Sequence, residues 1–285
     1  MKFNILFSLP TLSLQHSKMP RVLEICKSLD RQMFQPVVSV DHEGRLNKYT
    51  VSLLNDLDIP IEILRLSPHY SHPVDSTLDL VSSIRDLHHL DITIQYSSDY
   101  SKQWTEPLIA RLSGVRHWIM SKTNSDFSNL NWFIKLLFAK KIILQSPTMK
   151  DVLVRKYPCF EDKSIVIPNG VDTKVFFPKP PNESLRDDLN VPGYSLVLGC
   201  IAHISPVKSH LEIIKALKKV KSKQQILLLV VGKPADKEYF QVLEQFINNN
   251  NLEKNVVFTG MRKDIPDLCS IMDGLVFSRQ KRIPL

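Results

Sequence analysis

The sequence predicts an α/β protein built from two lobes, each a parallel sheet covered by helices, with the second lobe incomplete. Three observations predict it. Short apolar, β-branched runs alternate with helical stretches along most of the chain, the pattern of repeated strand–helix–strand units. A polar, proline-rich patch at 178–194 interrupts that alternation once and marks a joint. A chain of 285 residues that is 43% hydrophobic and 23% charged can fill two ordinary cores.

The first lobe, 1–177, opens on the strand-like run Lys2–Phe7. A lysine followed by an apolar stretch imitates a secretory leader. Pro10 breaks that stretch and no small-x-small cleavage pattern follows, so the segment reads as the first buried strand of a cytoplasmic protein. Further strand-like runs follow at Pro36–Val40, Ile59–Leu66, Asp91–Gln95, Arg116–Met120, Lys141–Leu144 and Ser164–Ile167. Helices are expected between them, among them Pro20–Arg31 and Ser146–Lys156. The joint holds one short helix around Ser184–Leu189. The second lobe, 195–285, resumes with strands at Ser195–Ile201, Gln225–Val231, Asn255–Phe258 and Leu275–Phe277, and helices at Ser209–Val220 and Lys237–Asn249. It stops directly after its fourth strand, which predicts an unfinished sheet. Nowhere does an apolar run approach the ~18 residues that would span a bilayer.

Composition narrows the chemistry. Net charge is +8 (37 basic against 29 acidic residues), which favours anionic partners, yet no nucleic-acid module accompanies it and none is expected to bind. Cys26, Cys159, Cys200 and Cys269 are scattered, without C-x-x-C or histidines at ligand spacing, so reduced thiols and no metal site are expected. With only 8 glycines, neither a P-loop nor a G-x-G-x-x-G fingerprint exists. Any phosphate site must use a helix N-terminus and a cation. Asp56-Leu57-Asp58 has the spacing of a metal-binding D-x-D, but between a helix and a strand it reads as an Asx-type turn.

Ser164–Pro178, SIVIPNGVDTKVFFP, is the most informative stretch. Asn169-Gly170 between apolar runs signals a β-hairpin. The flanks do not alternate cleanly, however, and Pro168 removes a donor that a hairpin ladder needs. Further on, the strand Ser195–Ile201 leads through His203 to Lys208 and then a helix. Ser209 and Glu212 have capping-box spacing, and a lysine beside a helix N-terminus can hold an anion. Asp264 and Pro266 read as the N-cap and first turn of another helix.

Together these segments resemble family 4 glycosyltransferases of the GT-B fold. The IPNGVD hinge-strand motif is matched almost word for word. The family's G-R-L-x-x-x-K-G, whose Arg and Lys grip the donor diphosphate, corresponds to the segment with His203 in the Arg position, Lys208 as the Lys and Ser209 in the Gly position. Gly232-Lys233-Pro234 is similar to V-G-x-G-P with one glycine lost. Val256–Pro266 is similar to V-x-F-x-G-x-x-x-D-[VI]-P, in which Gly260, Met261 and Arg262 would line the nucleotide base. The family's S-x-x-E-G-x-P-L corresponds to Ser278–Leu285, with Lys281 replacing the first of two acidic residues; the second falls beyond the last residue. In the first lobe the resemblance is fainter. The family's Gly-Gly loop is replaced by Ser8–Ser17, which contains His16, and Lys122 stands where a strand-end His is often found.

The resemblance implies two Rossmann-like lobes, an acceptor side in 1–177, a hinge at 178–194 and a partial nucleotide-sugar lobe in 195–285. It implies metal-independent, retaining transfer of a hexose-like sugar from a nucleotide diphosphate sugar, without a cofactor, to a lipid-linked or polysaccharide acceptor of the kind used in polysaccharide or lipopolysaccharide biosynthesis. Donor-binding residues would be His203, Lys208, Ser209, Gly232, Gly260, Met261 and Arg262, with Asn169 and Gly170 at the cleft and hinge, and His16 and Lys122 on the acceptor side. Catalytic residues are not assigned, since the acidic pair is missing. The alternative is a truncated, catalytically incomplete protein or a binding protein that reuses the fold. Asn131–Lys141 mixes aromatic residues and lysines. It reads as a packed helix, with peripheral contact to an anionic membrane at the cytosolic face as the second reading.

Overall fold

The computed structural model describes residues 2–13, 18–66, 73–98, 104–191, 193, 196–220 and 226–278; of 73–78 it describes the backbone only. The chain divides into two compact units, Met1–Gly170 and Val171–Leu285. No helix among the described residues is long and apolar enough to cross a membrane.

The first unit contains β1 (Phe3–Ser8), α1 (Lys18–Ser28), β2 (Phe34–Val40), α2 (Lys48–Asp56), β3 (Ile61–Ile63), α3 (Pro73–His89), β4 (Ile94–Ser97), α4 (Thr105–Leu112), β5 (His117–Lys122), α5 (Leu130–Phe138), β6 (Lys141–Leu144), α6 (Pro147–Lys156) and β7 (Ser164–Val166). Its seven strands lie in the order β3-β2-β1-β4-β5-β6-β7, and every pairing is parallel. Because side chains alternate along a strand, Ile5 and Phe7 face one layer while Leu6 faces the other. Ile5 and Phe7 pack with Met19, Val22 and Cys26 of α1 and Leu54 of α2. Leu6 packs with Leu87 of α3, Ile109 of α4, Trp132 and Leu136 of α5, and Leu153 of α6. Burial pushes the Cys26 thiol up to about 12, so it is an inert apolar filler.

Helix ends follow local chemistry. The side chains of Asn47 and Ser146 accept the Thr50 and Met149 amides and start α2 and α6. Asp58 ends α2 in the left-handed region at φ 53, with the Ile59 amide donating to the Leu54 carbonyl and the Asp58 amide to that of Asn55. The Asp56-Leu57-Asp58 segment is therefore a helix C-terminus, not the expected Asx turn. The objections to a hairpin at Asn169-Gly170 hold: among the described residues β7 pairs only with β6, in parallel, and no strand follows it within the unit.

The second unit contains α7 (Glu183–Asp188), β8 (Leu196–Ile201), α8 (His210–Lys219), β9 (Ile226–Val231), α9 (Lys237–Asn248), β10 (Val256–Gly260), α10 (Ile265–Ser270) and the short β11 (Gly274–Leu275). Its strand order is β10-β9-β8-β11, again parallel. β9 reads ILLLVV because both of its faces are covered. One face packs Leu228 and Val230 with Ile214 of α8 and Leu243 of α9. The other packs Leu227, Leu229 and Val231 with Leu268 of α10 and with Leu185 of α7, so the helix inside the expected joint contributes to this core.

Candidate functional site

Three loops meet at the C-terminal end of the second sheet, the end at which open parallel sheets take their ligands. They follow β8 (202–209), β9 (232–235) and β10 (261–264). Main-chain hydrogen bonds tie them together. The Ala202 amide donates to the Val231 carbonyl at 3.0 Å, that of Ile204 to Lys233 at 3.0 Å, that of Ala235 to Ile204 at 2.9 Å, and that of Gly232 to Gly260 at 2.8 Å. His203, Gly232 and Gly260, far apart in the sequence, are thereby brought to one sheet end. Gly232 is required there, because a Cβ on it would lie 2.0 Å from the Ala202 carbonyl oxygen, and its φ is +152°. Gly260 has a φ of +69°, again a backbone that favours glycine.

Lys208 ends a short 3-10 turn, Pro206–Lys208, and is exposed. Its charge is felt by two buried groups: the Cys200 thiol, which burial pushes up and Lys208 pulls back, and the His210 imidazole. Ser209 follows at φ 51°, ψ 38°, in the left-handed region where the family carries glycine. That conformation overturns the capping-box expectation. An N-cap needs extended φ and ψ for its oxygen to reach the first-turn amides. The Ser209 hydroxyl makes no cap bond and is buried without a partner. Glu212 instead pairs with Lys215 at 2.8 Å, and the Leu211 amide is taken by the Tyr239 hydroxyl of α9 at 3.0 Å.

Two residues here escaped sequence reasoning. Tyr239 caps a helix 28 positions away, and no local pattern signals that. His210 is 1% exposed, and neither ring nitrogen has a described hydrogen-bond partner. Burial lowers its affinity for a proton, with the Ser205 main chain opposing the shift and Lys208 adding to it.

Arg262 grips Asp264 with two bonds, Nε to Oδ1 at 2.8 Å and Nη2 to Oδ2 at 2.5 Å. These bonds hold the Asp264 carboxyl below its ordinary range. The same carboxylate was expected to cap α10, and it makes no cap bond because Arg262 has claimed it. Met261 stands exposed beside this pair. Lys281 lies outside the described residues.

In the first unit the strand order reverses between β1 and β4, and a buried polar cluster links these two strands to α4. Gln95 Nε2 donates to Ser8 Oγ at 3.0 Å and to Glu106 Oε1 at 3.2 Å, and Ser97 Oγ donates to Glu106 Oε2 at 2.8 Å. Lys135 Nζ lies 3.7 Å from Glu106 Oε2, both side chains wholly buried. Burial pushes the Glu106 carboxyl up, while Lys135 and its hydrogen bonds pull it back.

Lys122, expected on the acceptor side, ends β5 and is wholly buried. Its ammonium bonds Asn124 Oδ1 at 2.9 Å and stands 3.6 Å from the Trp132 ring centroid. Asn169 is exposed, with its side-chain amide 3.3 Å from that of Gln145, whose oxygen is best turned to accept from the Arg21 guanidinium. Neither it nor Gly170 uses a positive φ, and a Cβ on Gly170 would meet nothing within 4 Å, so this turn does not depend on glycine. His16 lies outside the described residues. No group of three or more metal-ligating side chains occurs among the described residues.

No curated protein matches the sequence. Solved structures do match. A glycosyltransferase from Rickettsia africae is 19% identical with a TM-score of 0.81, over 98% of this chain and 73% of that one. Anabaena Alr3699/HepE in complex with UDP-glucose is 20% identical with a TM-score of 0.75, over 97% and 74%. The lipopolysaccharide outer core galactosyltransferase WaaB, in apo form, is 12% identical with a TM-score of 0.68, over 97% and 74%. At these identities the likeness is one of fold, the GT-B type. The profile described as Glycosyl transferases group 1 matches residues 181–281. That of Glycosyltransferase Family 4 matches residues 21–175, more than half of the chain, and the chain belongs to glycosyltransferase family 4.

Proposed function

We propose that the loop cluster of the second unit binds a nucleotide diphosphate sugar. The sugar is transferred, without metal and with retention, to a lipid-linked or polysaccharide acceptor held by the first unit. One observation carries this reading: Lys208 stands at the sheet end where three loops are tied together around Gly232. A diphosphate there meets a permanent cation and main-chain amides, and the ammonium stabilises charge on the departing phosphate. Met261 and the Gly260 main chain supply an apolar surface for the base. HepE, crystallised with UDP and with UDP-glucose, supports a uridine nucleotide as the donor, and WaaB, a galactosyltransferase of lipopolysaccharide, supports a hexose and a lipid-linked acceptor.

Isothermal titration with UDP-glucose tests the donor site. Lys208→Ala is expected to weaken binding roughly 10- to 100-fold, the loss of one charge-assisted contact of about 1.5–3 kcal/mol. Unchanged affinity in that variant would refute the assignment. A second reading, binding without transfer, is favoured by Lys281, because a cation cannot accept a bond from a sugar hydroxyl. Its signature is UDP-glucose binding with no glucose released or transferred.

The acceptor side has its own test. On α5, Trp132 and Leu136 are buried, whereas Leu130 and Leu137, seven residues apart and so on one face, are 71% and 51% exposed beside Lys140. This stripe suits the surface of an anionic membrane carrying the acceptor. Sedimentation with phosphatidylglycerol vesicles is expected to pull down the wild-type chain, and Leu130→Ser with Leu137→Ser to abolish most of it. Equal sedimentation of both would rule out this contact.

A further inference from the structure

The family grips the donor diphosphate with an Arg and a Lys, but here His203 stands in the Arg position and only Lys208 is permanently charged. Beside Lys208 lie two polar side chains with unmet hydrogen-bonding capacity. The Ser209 hydroxyl is 4% exposed and has no described partner; His210 is 1% exposed, and of its two ring nitrogens neither makes a well-formed hydrogen bond, the Ser205 main chain being the one polar group described beside it. Buried polar groups are normally satisfied, and the exceptions call for an explanation.

We propose that His210 is a proton-linked cation of the donor site: the chain takes up a proton at this imidazole as it binds the diphosphate, so that donor affinity rises as pH falls. This inference rests on the donor-site reading above. The groups around His210 are few. The Ser205 main chain favours the charged ring, but burial outweighs it. Lys208 repels an imidazolium from the loop before it. Tyr239, on the packed helix α9, is spent on the Leu211 amide. Glu212 and Lys215, in the next turn of α8, neutralise each other. Cys200, on β8, is held as a neutral thiol by burial. No described carboxylate is therefore free to pair with an imidazolium, and without ligand the ring stays neutral. A bound diphosphate supplies negative charge beside the exposed Lys208, and the buried ring feels that charge through protein rather than water. The hydroxyl of Ser209 would gain an acceptor from the same ligand.

The sign follows from linkage. In the free protein the charged imidazole is disfavoured relative to the unfolded chain, so acid destabilises the second unit as pH falls below the ordinary histidine value. A ligand that favours the charged ring reverses this, and its affinity gains up to about tenfold per pH unit for one linked proton. UDP-glucose is the suitable probe, because its diphosphate, esterified at both ends, has no proton of its own that titrates near neutrality.

The test is titration of the full chain with UDP-glucose from pH 5.5 to 8, in two buffers of different ionisation heat. Net proton uptake is expected, together with affinity that falls about 3- to 10-fold per unit as pH rises across the histidine range. In His210→Gln the uptake should vanish and the profile flatten while binding persists. Should that variant fail to fold, the imidazole carbon shift of His210 in labelled wild-type protein gives the answer, titrating at higher pH with UDP-glucose than without it. Binding without uptake, uptake that survives in His210→Gln, or uptake that vanishes in His203→Gln instead, each overturns this inference alone. No binding of UDP-glucose at any pH overturns the donor-site reading and this inference together.

Discussion

Replacing Glu106 by Gln is expected to cost the first unit roughly 3–5 kcal/mol, and Lys135→Met a similar amount, because each breaks a wholly buried ion pair from one side. The two variants should nevertheless respond to pH in opposite directions. In Glu106→Gln the ammonium loses its carboxylate. Discharging a lysine at pH 7 costs at most roughly 5 kcal/mol, from an ordinary value near 10.4 at about 1.4 kcal/mol per unit. A lysine depressed in the folded state makes the variant recover as pH rises. In Lys135→Met the carboxyl, already pushed up by burial, takes a proton, at a cost of at most roughly 4 kcal/mol at pH 7 from an ordinary value near 4.3. Raised in the folded state, it stabilises most below its unfolded value and loses that contribution as pH rises, so this variant recovers in acid. Trp104, Trp118 and Trp132 are the chain's 3 tryptophans and all lie in the first unit. Urea unfolding followed by tryptophan fluorescence therefore reads this unit. Parallel pH profiles for the two variants would contradict the pairing. The double variant should recover most of the loss, as paired removal of buried charges usually does.

Gly232→Ala should disable the second unit's loop cluster. The added carbon would sit 2.0 Å from the Ala202 oxygen and 2.7 Å from its carbonyl carbon, both of them main chain rather than a movable side-chain tip. Overpacking and an unfavourable φ together cost roughly 2–5 kcal/mol. The expected readout is local. Amide exchange should accelerate at Ala202, Ile204 and Ala235, which bond across the loops, while amides of the first unit such as Ile142 keep their protection. UDP-glucose affinity should drop at least tenfold. Native protection at those three amides in Gly232→Ala would show that the loops are not held together there.

Much of the fold was legible in the sequence because strand and helix periods are local. β6 and β9 fall where the apolar runs predict them, to within a residue, and α6 and α9 start at capping residues visible in the sequence. The three loop motifs also named His203, Gly232 and Gly260, which the main-chain bonds bring to one end of the second sheet. What stayed hidden depends on distant partners. The capping spacing of Ser209 and Glu212 is a correct local signal, defeated by a left-handed Ser209 and by a tyrosine from the next helix. Asp264 was read as a cap and serves Arg262 instead. Lys122, Lys135 and Glu106 look like surface residues in one dimension, since charged side chains are seldom fully buried unless paired. Only the packing of α4 and α5 against the sheet brings Glu106 and Lys135 together.

Every strand pairing in the two sheets is parallel, and this shapes the time course of folding. Parallel neighbours cannot be closed by a tight turn, so each pairing waits for a crossover. β1 gains its second neighbour only when Ile5 meets Ile94, and β8 gains its own only when Leu198 meets Gly274. Chains dominated by such non-local closures refold in milliseconds to seconds rather than microseconds. During synthesis the first sheet holds all its described strands once Val166 has emerged, well before the second can begin to form. The order of assembly is thus written into strand topology: the unit that carries the buried Glu106–Lys135 pair can settle first, and the loops after β8, β9 and β10 close last.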